Sequence, residues 1–185
     1  MTTVAVVDMA HCGTTMLAGV LERLGVPMLA GGDRGVNLED AAVAHALRKR
    51  SWFEALVRER SGRTWGFKHP GAWRYASWFE CLESPVYLAI YKDAVSVSRR
   101  HVHTMEYIRP DHYVQYTASR ILRSLNGIQS SGLPVCYLSY LDAVRDPYAF
   151  VVQVVELCGL GVTERQLHEA AKFIKPLGMS YAGNV

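Results

Sequence analysis

The sequence lacks the features that mark several large classes of protein. Its four cysteines form no C-x-x-C pair, and no cysteine or acidic partner stands at metal-ligand spacing, so no metal site is predicted. No apolar run approaches the ~20 residues of a membrane span. No basic segment followed by a long apolar core opens the chain, so no signal peptide is predicted. This cysteine usage and these absences favour a reduced, intracellular protein, which we expect to be cytoplasmic.

The sequence also lacks strong charge of either sign. Its net charge is +3, and no basic run is interleaved with aromatic residues, so nucleic acid is not an expected partner. The mild positive excess suits an anionic ligand. The chain has no internal repeat or interdomain linker. Its 185 residues, half of them apolar, predict a single domain over residues 1–185 with a substantial core. Oligomeric state cannot be predicted from these features.

The first positive signal is a loop near the N-terminus. An apolar, β-branched run from Val4 stops at His11-Cys12-Gly13-Thr14-Thr15, and a helical pattern follows at once. Strand, tight loop and helix in this order form a cradle for phosphate-type anions, because backbone N–H groups and the helix N-terminus point at the ligand. The alternative is an ordinary strand-to-helix turn capped by threonine.

The same loop departs from the Walker A motif of ATP-binding proteins. That motif requires Gly-x-x-x-x-Gly-Lys-Ser/Thr, whereas Asp8 stands at the first glycine and Thr14 at the lysine. Without that lysine, the motif offers no fixed positive charge to the β- and γ-phosphates of ATP. The loop therefore predicts an anion site that is not a standard ATP site.

Strand and helix patterns alternate along the chain, which predicts a three-layer α/β sandwich with a mostly parallel central sheet. The predicted strands are Thr3–Met9, a short Val26–Leu29, Trp65–Lys68, Val86–Tyr91 and Pro134–Ser139. The predicted helices run from Met16 to Gly25, from Asn37 or Asp40 to Arg60, and over Trp73–Leu82, Val95–Met105, Tyr113–Ser130, Tyr148–Cys158 and Thr163–Phe173.

Basic residues follow three of these strands. His11 follows the first strand, Lys68 ends the second of the longer strands, and Lys92 follows the third. Parallel sheets bind ligands beyond the carboxyl ends of their strands. The three residues are therefore expected to meet around one anionic ligand.

Five segments in this order resemble the sulfotransferases that use 3′-phosphoadenosine-5′-phosphosulfate (PAPS), in particular their bacterial branch. The segments are His11-Cys-Gly-Thr-Thr15, Asn37-Leu-Glu-Asp40, Trp65-Gly-Phe-Lys-His-Pro70, Tyr91-Lys-Asp-Ala94 and Tyr140-Leu-Asp-Ala-Val-Arg-Asp-Pro147, and the closing Phe173-Ile-Lys-Pro176 is also similar. The resemblance implies a P-loop-NTPase-like fold. It also implies transfer of a sulfuryl group from PAPS, without a metal, to a hydroxyl or amine of a small-molecule or glycan acceptor.

The resemblance further implies a role for each site residue. The backbone of Gly13 to Met16 and the hydroxyls of Thr14 and Thr15 would hold the 5′-phosphate, with Cys12 in the same loop. His11 would take the leaving-group role of the family's first-loop lysine, Lys68 would lie near the transferring group, and Glu39 would be the general base. The 3′-phosphate would be held by Lys92 and Ser98 with Arg99 or Arg100.

The sequence departs from the family at three of these positions. His11 replaces a lysine or arginine, Lys92 replaces an arginine and so offers a point charge in place of a bidentate fork, and the family's serine position falls on Arg100, with Ser98 as a shifted substitute. Two alternatives therefore stay open: a divergent P-loop nucleotide or small-molecule kinase, and a non-catalytic nucleotide-binding relative. Glu39 and Asp40 also fit a simpler role as favourable charges in the first turn of a helix.

Overall fold

The structure is a computed structural model, and it describes residues 1–7, 12–28, 38–98 and 110–175. Four strands form one parallel sheet in the order β2-β1-β3-β4. The strands are β1 (Thr3–Val6), β2 (Trp65–Lys68), β3 (Pro85–Tyr91) and β4 (Val135–Ser139). Val6 is in register with Lys68 on one side and with Leu88 on the other, so β1 and β2 end together at the carboxyl edge of the sheet.

Helices cover both faces of this sheet. They are α1 (Thr14–Arg23), α2 (Ala41–Ala46), α3 (Arg50–Arg60), a 3-10 helix (Ala72–Cys81), α4 (residues 94–98), α5 (Pro110–Ser130), α6 (Tyr140–Arg145), α7 (Pro147–Cys158) and α8 (Glu164–Phe173). None of the described helices is both long and apolar enough to cross a membrane.

Alternating side chains of the strands divide the interior into two cores. Val4, Val6 and Leu88 point to one face, where α1, α7 and α8 pack. Ala5, Phe67 and residues of α2, α3 and the 3-10 helix form the core on the other face. This is the arrangement that the period of two along a strand dictates. The predicted three-layer α/β sandwich is therefore confirmed.

Several predicted elements differ in detail. Val26–Met28, the described part of the predicted short strand, is not a strand. Pro27 has no N–H to donate to a neighbouring strand. Its carbonyl accepts a hydrogen bond from the N–H of Gly66 at 2.9 Å. The single helix predicted up to Arg60 is two helices, because the backbone of Lys49 is extended and caps α3. The predicted helix at Trp73–Leu82 is a 3-10 helix, kinked at Tyr75. No helix was predicted over α6, which directly follows β4.

Candidate functional site

The candidate site lies at the carboxyl edge of the sheet, where the first loop meets the ends of β1 and β2. Cys12 is buried, Gly13 is the N-cap of α1, and Thr14 and Thr15 form the first turn. Met16 is buried in the core behind that turn. His11 lies outside the described residues. The N-terminus of α1 thus presents its N–H groups at the edge of the sheet where the sequence predicts an anion-binding site.

Gly13 is held in a conformation that only glycine adopts without strain. Its φ is +110°, and a Cβ built at this position would lie 2.6 Å from Cδ2 of Tyr140. Tyr140 is buried at the start of α6, and the Nζ of Lys92 lies 4.6 Å from the centroid of its ring. Tyr140 therefore links the first loop to the loop after β3. Sequence reasoning gave Tyr140 no site role, although the motif that begins with it was one signal of the resemblance.

Lys68 is a lysine buried at the end of a core strand. Its side chain is 2% exposed, and its Nζ lies 3.3 Å from Oγ1 of Thr15 and 3.4 Å from Oε1 of Glu39. Burial lowers the pKa of Lys68, and the carboxylate of Glu39 offsets part of that effect. A buried cation that contacts the first turn of α1 is placed to meet negative charge held by that turn.

Glu39 owes its position to the residue that follows it. Asp40 caps α2 by accepting from the N–H groups of Ala42 and Val43, at 2.8 and 3.2 Å. The second oxygen of Asp40 accepts from the guanidinium of Arg60 at 2.8 Å. Asp40 thus fills the capping role, whereas Glu39 lies before the helix, 42% exposed, with its carboxylate beside Lys68. The two adjacent acids have separate partners.

The residues expected at the 3′-phosphate have contacts of their own. The hydroxyl of Ser98 is buried in α4, where it donates to the carbonyl of Ala94 at 2.5 Å and approaches that of Tyr113 at 3.4 Å. It therefore ties α4 to α5. Lys92 lies over Tyr140, as above, and Arg100 is outside the described residues. The roles of Lys92, Ser98 and Arg100 at a phosphate stay predictions.

His69, next to Lys68, is a partly buried histidine with an unusual environment. Its Nδ1 is buried without a hydrogen-bond partner in the described part of the chain. Burial lowers the pKa of His69; the positive charges of Arg74 and Lys68 act in the same direction, and Glu39 opposes them. The structure therefore favours a neutral imidazole beside the Lys68 ammonium.

This environment predicts a pH-dependent loss of stability. An unfolded histidine takes up a proton near pH 6.5, whereas folded His69 does so at lower pH. Falling pH therefore favours the unfolded state, from pH 6.5 down to the folded pKa, by at most about 1.4 kcal/mol per pH unit. Urea unfolding between pH 7 and pH 5 should show this decline in the wild type and a shallower one in His69→Asn. The exposed-site variant His168→Asn is the control, and parallel curves for His69→Asn and wild type would refute the prediction.

The contact between Gly13 and Tyr140 predicts a costly substitution. Gly13→Ala combines positive-φ strain with a clash against a buried ring, and we expect it to lower the free energy of unfolding by about 2–4 kcal/mol. Gly132→Ala is the matched control, because Gly132 has a φ of +72° but no atom within 4 Å of its Cβ position; its cost should be about 1–2 kcal/mol. Urea denaturation of both variants measures the difference, and equal losses would show that Tyr140 imposes no constraint.

Among the described residues, no group of three His, Cys, Asp or Glu side chains is arranged to hold a metal ion. Neither a family model nor a curated protein matches the sequence.

Solved structures similar to this fold are sulfotransferases. The sulfotransferase domain of the Synechococcus PCC 7002 olefin synthase aligns with a TM-score of 0.59 and 13% identity, over 100% of this chain and 80% of that one. Mouse sulfotransferase SULT7A1, complexed with 3′-phosphoadenosine-5′-phosphate (PAP), aligns with a TM-score of 0.57 and 14% identity, over 94% of this chain and 65% of that one. Retinol dehydratase in complex with androsterone and PAP aligns with a TM-score of 0.55 and 12% identity, over 94% of this chain and 64% of that one. The chain has the sulfotransferase fold, as the sequence resemblance implied.

Proposed function

We propose that this protein transfers a sulfuryl group from PAPS to a hydroxyl or amine of a small-molecule or glycan acceptor. The observation that carries the proposal is the position of Lys68: a buried ammonium group within 3.3 Å of the first-turn threonine Thr15 and 3.4 Å of the Glu39 carboxylate. A cation between an anion-binding helix start and a carboxylate suits the transfer of an anionic group to an acceptor that must lose a proton.

The residues around Lys68 divide this task. The N–H groups at the start of α1 and the hydroxyls of Thr14 and Thr15 bind the 5′-phosphate. Lys68 stabilises negative charge on the transferring group, and Glu39, partly exposed beside it, accepts the proton of the acceptor. Positioning and electrostatics supply most of the catalysis in the related transfer of phosphoryl groups, and we extend that principle here.

The geometry of the first loop supports PAPS as the co-substrate. Gly13 has no Cβ, so the ring of Tyr140 packs directly against the loop and supports it from behind, while the N–H groups at the start of α1 are the donors for a phosphate. Three of the similar structures hold PAP, which is PAPS without its sulfuryl group. Retinol and androsterone appear with the retinol dehydratase structures, which is consistent with a small-molecule acceptor for this chain as well.

Calorimetric titration with PAP, and in parallel with Mg-ATP, tests the proposal. We expect PAP to bind at least about tenfold more tightly than Mg-ATP, a difference of about 1.4 kcal/mol. No binding at high micromolar PAP would overturn the co-substrate assignment, and tighter binding of Mg-ATP would favour a kinase. Incubation of the protein with PAPS and a panel of acceptors then measures turnover. PAP binding without any turnover would leave a non-catalytic nucleotide-binding protein.

A further inference from the structure

A polar pocket of about 320 Å³ lies between the 3-10 helix and α5. Its lining is basic and hydroxylic: Arg74, Tyr116, Ser119, Arg120, Arg123 and Ser124. This volume is at the lower end of the range found for small-molecule sites. None of these residues is among those assigned above to the sulfuryl donor, and the proposed function gives the pocket no role.

The spacing of the lining residues along α5 explains their convergence. Five of them recur three or four positions apart from Tyr116 to Ser124, so they share one side of the helix. The 3-10 helix supplies Arg74 to the same space. It lies close to α5 because Gly127 has no side chain and the ring of Trp73 occupies that space. The pocket is therefore built by the packing of two elements and is not a loop feature.

Two of the three arginines are oriented by aromatic rings. The guanidinium carbon of Arg74 lies 4.6 Å from the ring centroid of Trp73, and that of Arg120 lies 5.6 Å from the ring centroid of Tyr116. Such stacking restrains a guanidinium and leaves its N–H groups available to an anion. Within the described part of the chain, no carboxylate forms a salt bridge with Arg74, Arg120 or Arg123. The charges of the three are thus uncompensated by these residues.

Arg74, one wall of the pocket, belongs to the 3-10 helix that follows β2. Arg74 follows closely on Lys68 and His69 in the chain, and its charge acts on the His69 imidazole. The ring of His69 also lies 6.4 Å from that of Tyr75. The Arg74 side of the pocket therefore lies within electrostatic reach of His69, the residue after Lys68.

We propose that this pocket binds a phosphate or sulfate monoester group on the acceptor, so that the acceptor is an anionic small molecule. The identification of the bound molecule as the acceptor rests on the proposed function, whereas the binding of an anionic group by this pocket does not. Planar guanidinium groups match tetrahedral oxyanions through paired N–H donors, and the hydroxyls of Ser119 and Ser124 add shorter-range donors.

Titration of the whole protein with three sugars tests this inference. Glucose 6-phosphate, glucose 6-sulfate and glucose share a ring and differ only in the charged group. Chemical-shift titration should show saturable binding of at least one of the two charged sugars and at least about tenfold weaker binding of glucose, a difference of about 1.4 kcal/mol. The two charged sugars together tell whether phosphate or sulfate is preferred. Equal binding of glucose, or no binding of either ester, would overturn the proposal.

Paired variants locate the binding. The double variant Arg120→Ala/Arg123→Ala should weaken binding of the charged sugars at least about tenfold. Arg58→Ala/Arg165→Ala removes two exposed arginines elsewhere and serves as the control of equal charge; it should leave their affinity within about twofold. A control variant that weakens binding as much as the pocket variant would reduce the effect to net charge and overturn the proposal.

A PAP titration separates this inference from the proposed function. The pocket variant should bind PAP as the wild type does, and PAP should not displace the charged sugars. Competition between PAP and the sugars would make the pocket part of the nucleotide site and overturn the proposal. Binding of charged sugars by a protein that does not bind PAP would support the pocket and refute sulfuryl transfer.

Discussion

Replacing Lys68 by methionine is expected to lower the rate of sulfuryl transfer by about 10²- to 10³-fold, the usual cost of removing one preorganised group that stabilises charge in a transition state. Affinity for PAP should change by less than about fivefold, or about 1 kcal/mol. PAP lacks the sulfuryl group, so it does not report the contact that the ammonium group of Lys68 makes in the transition state. Single-turnover assays with PAPS and calorimetry with PAP measure the two quantities separately.

The control for this variant replaces a lysine that is exposed, whereas Lys68 is buried. Lys172 lies on α8 with 73% of its side chain exposed, so Lys172→Met should leave both the rate and PAP affinity unchanged. Methionine at position 68 keeps much of the volume of the buried stem, so the fold should persist, as a urea denaturation curve will check. Turnover within about tenfold of the wild type would remove Lys68 from the mechanism.

Much of the region around Lys68 could be predicted from the sequence, because it depends on local pattern and on a general rule of parallel sheets. Trp65–Lys68 was predicted to be a short strand, and β2 has these bounds in the structure. Since the strands are parallel, their carboxyl ends share one edge of the sheet. That rule placed Lys68 and the first loop at the same edge, and the structure adds the contact between Lys68 and Thr15.

Other features depend on contacts between distant residues, which no local pattern encodes. The Asp40 and Arg60 ion pair joins residues 20 positions apart, and the ring of Tyr140 packs against Gly13 from the far end of the chain. Ser98 has the residue type expected of a phosphate ligand, yet its hydroxyl is directed to backbone carbonyls. Side-chain direction and long-range packing decide such cases, and residue type alone does not.

The Asp40 and Arg60 pair should be the most sensitive stabilising contact near the site. Asp40→Ala is expected to lower the free energy of unfolding by about 3–5 kcal/mol, because it leaves a buried guanidinium without its carboxylate and also removes the cap of α2. The side chains of Asp40 and Arg60 are 0% and 8% exposed, so water does not replace the lost partner. The ring of Trp65, 4.9 Å from the guanidinium carbon, compensates only in part. Urea denaturation at pH 7 measures the loss.

Two further variants divide this loss into its causes. Asp146 caps α7 on the surface by accepting from the N–H of Ala149 at 3.0 Å, so Asp146→Ala should cost only the cap, about 1 kcal/mol. The double variant Asp40→Ala/Arg60→Met removes both charges. It should recover most of the stability that Asp40→Ala loses in excess of the cap, because replacing a buried ion pair by apolar residues often leaves the free energy of unfolding unchanged or raises it. A double-mutant cycle gives the coupling energy directly. If Asp40→Ala costs no more than Asp146→Ala, the ion pair contributes nothing to the free energy of unfolding.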